Sequence, residues 1–531
     1  MNGFDLDAGV AQRRRQLAGA SALAAALVVA GCGGGSDGDE PASASSSSAG
    51  AQAATNACAA RVNNTFKKLL ECVGLAGVRA HQAALQTVAN GNGGNRAAGT
   101  TGYDASVDYI VGKMSAAGYV VSLNPFAFVY NPPSVLQQTA PVAATYATGT
   151  FTGSGFGSVT ASVTPVDINL VPPRASTSGC EATDFAGFPV GNIALIQRGT
   201  CSFAIKAVNA QAAGAGGVII FNQGDTPLRE GLIVGTLAPA TVTIPVVGAS
   251  FADGSALAQA DSVAFINAPA PQNVTQYNVI AESRDGDPGN VVMVGAHLDS
   301  VQAGPGINDN GSGSAAILET ALQMAKVKPR NKLRFAWWGG EESGLVGSTA
   351  YVAGLSESER QRIALYLNFD MVGSPNHVFF IYDGDNSDGT GAPAGPAGSA
   401  EIEQAFEQFY RDRGVPFKGT DFSGRSDYGP FIALGVDIPA GGLFTGAEGV
   451  KTAAEAALWG GTAGQQYDPC YHLACDTYAN NNDVALDTNA DAIAYTTLLF
   501  SMNTESVNGK RGKGNFSRPA LKWPEHPPQE Q

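Results

Sequence analysis

Charged side chains and histidines are scarce in this chain of 531 residues, and the charge that is present is mostly negative. Only 15% of the residues are charged, and 46 acidic residues stand against 31 basic ones, which gives a net charge of −15. Proteins that bind nucleic acid neutralise phosphates with clustered lysine and arginine, and this chain has no basic stripe before its C-terminal tail. Nucleic acid is therefore excluded as an expected partner.

Two of the five histidines lie beside acidic residues. His297 occurs in VGAHLDS, and His472 occurs in DPCYHLACD. The other three are interpreted as structural or as lacking ligand partners, and they are His81, His377 and His526. Histidine nitrogens beside carboxylates are typical metal ligands. The pattern therefore indicates a metal site.

Three short, almost continuously apolar runs predict strands that are buried on both faces of a parallel or mixed sheet. They span residues 291–296, 333–338 and 364–369. The side chains that follow these runs are His297 and Asp299, Glu341 and Glu342, and Asp370. In open α/β sheets, ligands bind beyond the carboxyl ends of the strands. We therefore expect these side chains to meet at one edge of the sheet.

Asp309 lies in a loop between the first of these strands and a predicted helix. The segment GINDNGSGSAAILETALQMAKV supplies a Gly/Ser turn and N-cap before an Ala/Leu-rich stretch. From this loop Asp309 could bridge two metal ions, while one of the adjacent Glu341 and Glu342 binds metal and the other acts as a base. Two metal ions about 3.5–4 Å apart are a known arrangement for hydrolysing acyl or phosphoryl bonds. Nitrogen and carboxylate ligands without cysteine favour zinc, but ligand type alone leaves manganese and cobalt open.

Together, HLD, the aspartate of GINDN, the EE pair, NFDMVG and CYHLACD resemble the co-catalytic di-zinc aminopeptidases of the bacterial leucyl aminopeptidase, aminopeptidase S and aminopeptidase Y type. The resemblance covers residues of about 60–135 and 270–505. It implies an α/β fold of zinc-exopeptidase type, with a mixed, largely parallel central sheet flanked by helices. It also implies hydrolysis by a metal-bound hydroxide with a glutamate as general base.

Carried over residue by residue, the resemblance implies two co-catalytic zinc ions. The ligands of one ion would be His297, Asp309 and Asp370, and those of the other would be Asp309, Glu342 and His472. Glu341 would be the general base and acid. Asp299 would accept a hydrogen bond from the far nitrogen of His297 and so fix its tautomer.

The resemblance extends to residues that would contact the substrate. Tyr471 matches a tyrosine that stabilises the oxyanion of the tetrahedral intermediate. Arg425, in GRSDYGPF, matches an arginine that contacts the free α-amine of the substrate together with the base glutamate and a ligand aspartate. The residues that resemble an apolar pocket for the first residue are Met371, Gly424 and Phe444. Alternatively, Arg425 forms a structural ion pair with Asp427 or another acid, and Met371 and Phe444 are ordinary core residues.

The expected function is that of an exported zinc aminopeptidase, which acts on peptides with a free N-terminus and prefers apolar first residues. One alternative is a related carboxypeptidase or glutaminyl cyclase on the same fold, and a cyclase would hold a single zinc ion. A second alternative is a non-catalytic receptor similar to the transferrin receptor ectodomain. That alternative predicts degraded ligand positions, and none of the ligand positions is missing here.

The N-terminus resembles the signal peptide of a bacterial lipoprotein. Three arginines at 13–15 precede an apolar run at 17–30, which is too short for a convincing membrane-spanning helix. The sequence VAGC ends at Cys32, the expected lipidation site, and Gly33 fits sorting to an outer membrane. A plain signal peptide with a chance cysteine is the alternative. We therefore expect an outer-membrane lipoprotein or a cell-surface or periplasmic protein, which is retained on the membrane by its lipid anchor or released.

The seven cysteines support export, because six remain for pairing once Cys32 is set aside. Proximity in the sequence suggests three disulfides, which are Cys58 with Cys72, Cys180 with Cys201, and Cys470 with Cys475. Spacing does not prove this connectivity. The last pair also matches the family that the chain resembles, and it brackets Tyr471 and His472.

Composition divides the chain into six predicted segments. A stretch rich in Thr, Val, Gly and Pro contains GNIALIQRGTCSFAIKAVNAQAAGAGGVIIFNQ and TIPVVGAS, which resemble the β-rich protease-associated domain inserted in several aminopeptidases. We expect it to cover or shape the substrate cleft, or to be purely structural. The segments are a signal peptide (1–32), a disordered Ser/Ala linker (33–57), a first catalytic part (58–139), the inserted domain (140–268), a second catalytic part (269–507) and a disordered tail (508–531).

Two further expectations concern calcium and assembly. Asp487 and Asp491 lie four residues apart on a predicted helix, and similar positions bind calcium in some relatives of the family. Acids on a helix surface are the simpler interpretation. We expect the protein to be a monomer.

Overall fold

The computed structural model describes residues 57–516, apart from residues 59, 390 and 392. The predicted signal peptide with the lipidation site Cys32, most of the Ser/Ala linker and most of the tail lie outside the described residues. No helix in the described part of the chain is both long and apolar enough to cross a membrane.

The described residues contain two β-sheets. In chain order the strands are β1 (Val120–Tyr130), β2 (Val135–Ala140), β3 (Ala144–Tyr146), β4 (Gly157–Val166), β5 (Ile193–Gln197), β6 (Gly217–Phe221), β7 (Val246–Ala249), β8 (Val263–Ala268), β9 (Gln272–Glu282), β10 (Asp287–His297), β11 (Asn331–Trp338), β12 (Ile363–Phe369), β13 (Phe380–Tyr382), β14 (Lys418–Thr420) and β15 (Ala440–Phe444). The larger sheet has the order β1-β9-β11-β10-β12-β15-β13-β14, and the smaller has the order β3-β2-β8-β4-β5-β6-β7.

Helices connect and cover these strands. In chain order they are α1 (Phe66–Leu70), α2 (Leu75–Gly91), α3 (Thr101–Ala116), α4 (Phe203–Ala212), α5 (Phe251–Leu257), α6 (Gly311–Met324), α7 (Val346–Gly354), α8 (Glu357–Arg360), α9 (Ser399–Asp412), α10 (Gly429–Ile432), α11 (Ala453–Trp459), α12 (Asp483–Met502) and α13 (Glu505–Asn508). Helix α6 begins where the Gly/Ser segment predicted it, because the side chain of Asn310 caps the helix by accepting a hydrogen bond from the Gly313 N–H.

The centre of the larger sheet is parallel, as the three apolar runs predict. Strand β10 pairs in parallel with β11 on one side and with β12 on the other. All seven residues of β12 are buried, which explains its continuous hydrophobicity. The register places His297 opposite Trp338 and Gly295 opposite Asn368. The carboxyl ends of the three strands therefore lie at the same edge of the sheet.

Buried side chains cover both faces of this sheet. On one face, helices such as α6 and α12 supply aliphatic residues, including Ile317 and Leu498, to the main core cluster. The other face is aromatic, with Trp338 and Tyr366 in one cluster with Phe431. The rings of Tyr366 and Phe431 stack with centroids 4.0 Å apart. Because both faces of the sheet are packed against buried side chains, the sheet holds the residues at its edge in fixed positions.

The smaller sheet is formed by consecutive strands, β2 to β8, between residues 135 and 268. It combines antiparallel pairs, such as β4 with β8, and parallel pairs, such as β5 with β6. The predicted fold class is therefore confirmed, as a mixed α/β protein with a β-rich insertion. Strand β2 ends at the predicted segment boundary near residue 140 and pairs within the smaller sheet. The segment boundaries stay a prediction.

Candidate metal centre

The edge formed by β10, β11 and β12 carries most of the predicted ligands. His297 is the last residue of β10, Asp370 directly follows β12, and Glu341 and Glu342 lie just beyond β11. Asp309 immediately precedes the N-cap residue of α6. Each side chain therefore reaches the same place from the end of a different element, as the open-sheet geometry predicts.

The carboxylate of Asp309 lies between the two histidines. Its Oδ1 is 3.2 Å from Nε2 of His297, and its Oδ2 is 3.3 Å from Nε2 of His472. Oδ1 of Asp370 is 3.2 Å from Nε2 of His297, and Oε2 of Glu342 is 3.0 Å from Nε2 of His472. The five side chains thus form two adjacent ligand sets that share Asp309.

Glu341 lies beside these two sets. Its Oε2 is 4.0 Å from Nε2 of His297, farther than the carboxylates of Asp309 and Asp370. Even so, His297, Glu341 and Asp370 each have one potential ligand atom within 4.8 Å of those of the other two. Distance alone therefore places Glu341 where it could contact either a metal ion or a water molecule.

The charges of the site fit divalent cations. Burial raises the pKa of the Glu342 carboxyl to about 8, with a further contribution from the charge of Asp309, and burial also raises the pKa of Glu341 well above its usual range. Burial lowers the pKa of both histidines, but neighbouring carboxylates outweigh it and leave His472 with a pKa of about 10 and His297 with a pKa well above its usual value. The carboxylates thus keep the ring nitrogens protonated, and a bound dication would displace these protons. The donors are nitrogen and carboxylate oxygen, which fit zinc.

Asp299 contacts His297 in a different way from the predicted one. The far nitrogen of the His297 ring, Nδ1, is 3.1 Å from the main-chain carbonyl of Asp299 and 3.6 Å from its carboxylate. Because 3.6 Å exceeds hydrogen-bond distance, the carbonyl oxygen is the acceptor. The carboxylate instead accepts the Glu341 N–H at 3.2 Å. Asp299 is therefore a positioning residue for both His297 and Glu341.

Three residues that orient the ligands were missed by the sequence analysis. Ser426 Oγ donates to Oδ2 of Asp370 at 2.6 Å. Asp476 accepts the Asp309 N–H at 2.9 Å, and the Asn310 side chain donates to the Phe369 carbonyl at 2.9 Å. All three residues occur inside quoted motifs, GRSDYGPF, CYHLACD and GINDN, but no spacing rule shows what their side chains contact.

A cavity of about 350 Å³ opens onto the site. The residues predicted for the substrate pocket and the oxyanion all line it, together with the predicted ligands Asp309, Glu342, Asp370 and His472 and the base Glu341. Met371 is buried with a positive φ of 49°, Gly424 has a φ of 80°, and Phe444 is half-buried at the end of β15. Aromatic side chains of Tyr382 and Tyr428 complete the wall. The cavity is thus partly apolar, with the candidate ligands on one side.

Arg425 and Tyr471 lie at the exposed side of this cavity. The ring of Tyr471 stacks on that of His472 with centroids 3.8 Å apart. Arg425 Nη1 is 2.8 Å from Oε1 of Glu448, and its Nη2 is 3.4 Å from the Tyr471 hydroxyl. The acid paired with Arg425 is therefore Glu448, and Asp427 is not its partner. Arg425 remains exposed beside the cavity, where it could still contact a substrate.

All three predicted disulfides are confirmed, and they join Cys58 to Cys72, Cys180 to Cys201, and Cys470 to Cys475. The last one closes the short loop that presents His472. Asp468, just before that loop, accepts a hydrogen bond from the Asn308 side chain at 2.7 Å. The disulfide therefore closes the loop on itself, and the buried hydrogen bond holds its base next to the Asp309 turn.

Replacing both Cys470 and Cys475 with serine should weaken zinc affinity and activity more than it lowers the free energy of unfolding. A loop this short restricts little conformational entropy of the unfolded chain, whereas the bridge constrains the position of His472 directly. Zinc affinity, kcat/KM and thermal unfolding of the double variant measure this, with Cys58→Ser/Cys72→Ser as the matched control. Unchanged zinc affinity and activity would show that the bridge does not position the ligand.

The described residues give no support to the calcium site predicted at Asp487 and Asp491. Oδ2 of Asp491 is 2.7 Å from Nη2 of Arg413, and Oδ1 of Asp487 accepts the Leu75 N–H at 3.1 Å. Asp491 thus has a cationic partner within the protein. Its burial raises its pKa to about 7 in spite of the arginine.

Comparison with known proteins agrees with this geometry. Residues 278–497 match peptidase family M28, and residues 166–257 match the PA domain. An aminopeptidase of Pseudomonas aeruginosa is 51% identical over 450 residues, covering 83% of this chain and 83% of that protein. Leucine aminopeptidase 2 of Trichophyton rubrum is 42% identical over 438 residues, covering 81% of this chain and 85% of that protein.

Solved structures give the same result. A zinc aminopeptidase from Bacillus subtilis matches with a TM-score of 0.55 and 25% identity, covering 80% of this chain and 95% of that one. An aminopeptidase from Aneurinibacillus sp. strain AM-1 matches with a TM-score of 0.50 and 26% identity, covering 88% of this chain and 100% of that one. The chain belongs to peptidase family M28, and it is a metallo-aminopeptidase with an inserted PA domain.

Proposed function

We propose that the protein hydrolyses the first peptide bond of peptides that have a free N-terminus, uses two zinc ions, and prefers apolar first residues. The observation that carries this proposal is the position of Asp309, whose two carboxylate oxygens lie 3.2 and 3.3 Å from the Nε2 atoms of two different histidines. A single metal ion would not need one carboxylate to face two histidines.

His297, Asp370 and Asp309 would hold one zinc ion, and Glu342, His472 and Asp309 would hold the other. When bound, the zinc ions supply Lewis acidity and lower the pKa of a coordinated water molecule to near neutrality. Asp299 orients two participants, because its carbonyl accepts from His297 and its carboxylate accepts from the Glu341 main chain.

Glu341 would move the proton in this reaction. It takes a proton from the attacking water and returns it to the departing amine. The Tyr471 hydroxyl lines the cavity beside the ligands and would donate a hydrogen bond to the developing oxyanion. The carboxylates of Glu341 and Asp370 would accept hydrogen bonds from the free amine, and Arg425 would lie at the exposed side of the cavity. The amine would thereby fix the first peptide bond at the site.

An assay panel tests this function. Aminoacyl p-nitroanilides, their N-acetylated forms and substrates with a blocked C-terminal residue should be compared on one preparation of measured metal content. Turnover should require the free amine, because acetylation removes the charge that Glu341 and Asp370 would contact. The carboxypeptidase alternative predicts release of C-terminal residues, and the glutaminyl cyclase alternative predicts cyclisation of N-terminal glutamine with one zinc ion. Equal turnover of acetylated substrates would contradict the proposal.

The apolar lining of the cavity predicts the preference for the first residue. Met371 and Phe444 would contact it, so substrates that begin with Leu, Met or Phe should exceed those that begin with Asp or Glu in kcat/KM. An acidic side chain would lose hydration among apolar groups without gaining a partner. Phe444→Asp should erase this preference, whereas Phe444→Leu should keep it. Equal turnover of acidic and apolar substrates by the parent enzyme would mean that the pocket is assigned wrongly.

We also propose that the protein is exported and anchored by a lipid on Cys32. The lipoprotein-like VAGC sequence supports this proposal. The three disulfides support export as well, because disulfides persist in oxidising compartments. Metabolic labelling with a fatty-acid analogue tests it, since a Cys32→Ser variant should lose both the label and membrane retention. Labelling that persists in the variant would contradict an anchor at this position.

A further inference from the structure

One carboxylate of the cavity has no place in the chemistry described above. Five acidic side chains line the cavity, and they are Asp309, Glu341, Glu342, Asp370 and Asp421. The first four belong to the candidate metal site. Asp421 is half-buried, directly after strand β14, and within the described part of the chain no hydrogen bond or ion pair to its carboxylate is found.

The cationic side chains nearest in sequence to Asp421 are engaged elsewhere. Nζ of Lys418 is 2.8 Å from Oε1 of Glu455. Nη1 of Arg425 is 2.8 Å from Oε1 of Glu448. The negative charge of Asp421 is therefore not neutralised by either of them, and Asp421 lines a cavity that a substrate side chain can enter.

The walls beside Asp421 are aromatic and firmly packed. Phe422, the next residue, stacks on Tyr382 with centroids 5.3 Å apart and planes at 11°. Tyr428 packs against Tyr382 at 4.6 Å between centroids. Tyr382, Tyr428 and Phe444 line the same cavity as Asp421. The cavity thus combines apolar aromatic walls with a single unpaired carboxylate outside the metal ligands.

We propose that Asp421 is a specificity-determining residue that lets the first-residue pocket accept peptides beginning with lysine or arginine in addition to apolar residues. These side chains match the cavity because their methylene stems pack on apolar surface while the cationic end seeks a carboxylate. The aromatic walls add cation–π attraction for the same charge. An acidic first residue would meet repulsion from Asp421. This inference rests on the proposed aminopeptidase function and extends its substrate class.

Three p-nitroanilides separate charge from size in the first residue. They carry lysine, Nε-acetyl-lysine and leucine. Acetylation keeps the long side chain but removes its charge, so the parent enzyme should turn over the lysine substrate with a higher kcat/KM than the acetyl-lysine substrate. Asp421→Asn should lower kcat/KM for lysine by about 10- to 150-fold relative to leucine, the usual effect of losing a hydrogen bond to a charged group. The acetyl-lysine and leucine substrates should respond equally to the variant.

Asp385→Asn is the matched control. Asp385 is exposed on the neighbouring loop and does not line the cavity, so its variant changes the net charge equally without touching the pocket. It should leave the ratio of lysine to leucine turnover unchanged. Raising ionic strength should lower this ratio for the parent enzyme and not for Asp421→Asn, because salt screens the charge pair.

The outcomes distinguish this inference from the proposed function. If the parent enzyme hydrolyses none of the three anilides, the proposed function itself fails, and if it hydrolyses lysine anilide but not leucine anilide, the proposed preference for apolar first residues fails. If leucine is hydrolysed but Asp421→Asn leaves the lysine-to-leucine ratio unchanged, only the role of Asp421 is overturned. Peptide substrates that carry lysine at position one or two locate the contact, and a loss confined to position two would also overturn the role in the first-residue pocket.

Discussion

Replacing Glu341 with glutamine should lower kcat by about two to four orders of magnitude, the usual contribution of general acid–base catalysis, while the zinc content stays unchanged. Glutamine keeps the size of the side chain but can no longer take a proton from water. The Oε2 atom of Glu341 is 4.0 Å from Nε2 of His297, whereas Glu342 lies 3.0 Å from Nε2 of His472. The shorter distance fits Glu342 as a ligand, and the longer one is compatible with Glu341 acting as the base.

Glu342→Gln is the comparison that makes this prediction sharp. It should reduce zinc content as well as rate, because Glu342 is a proposed ligand of the zinc ion near His472. Zinc measured by mass spectrometry and kcat measured on leucine p-nitroanilide separate the two glutamates. Loss of zinc in Glu341→Gln with retention in Glu342→Gln would mean that their roles are exchanged.

Asp309→Ala should empty at least one zinc site and abolish detectable turnover. Asp309 faces both histidines, so its removal would take a ligand from both proposed zinc ions. Asp370→Ala would remove a ligand only from the proposed ion near His297 and should leave more zinc bound than Asp309→Ala. Equal zinc content in Asp309→Ala and the parent would show that Asp309 does not bridge, and circular dichroism checks that each variant is folded.

Much of the site could be predicted from the sequence because its ligands follow recognisable strands. Because β10 and β12 are buried over most or all of their length, their sequences contain apolar runs that can be recognised as strands. Parallel pairing then brings the residues that follow them to one edge of the sheet. His472 could be singled out by its acidic neighbours, but only the resemblance to a family assigned it to the same site, because its position next to Asp309 depends on tertiary structure. The disulfide pairing was predictable because cysteines that are close in sequence form a short loop, and short loops cost little entropy to close.

The remaining contacts depend on side-chain geometry that a linear pattern does not contain. Ser426 bonds to Asp370 from 56 residues away in sequence, and Arg425 pairs with Glu448 rather than with its neighbour Asp427. The tautomer partner of His297 is a main-chain carbonyl, which no residue type reveals. The role of Asp421 could not be predicted from the sequence, because it depends on the cavity that Asp421 lines and on the absence of a partner for its carboxylate among the described residues. The segment boundaries, the lipid anchor and the monomeric state stay predictions.

Reconstitution of the metal-free enzyme with zinc tests the two-ion centre most directly. Purified protein is stripped with a chelator, and its activity on leucine p-nitroanilide is then followed against added zinc equivalents, with bound zinc measured at each step. Two ligand sets that share Asp309 predict that activity rises until about two zinc ions are bound per chain. Full activity with a single bound ion, or in the stripped protein, would contradict the proposed centre.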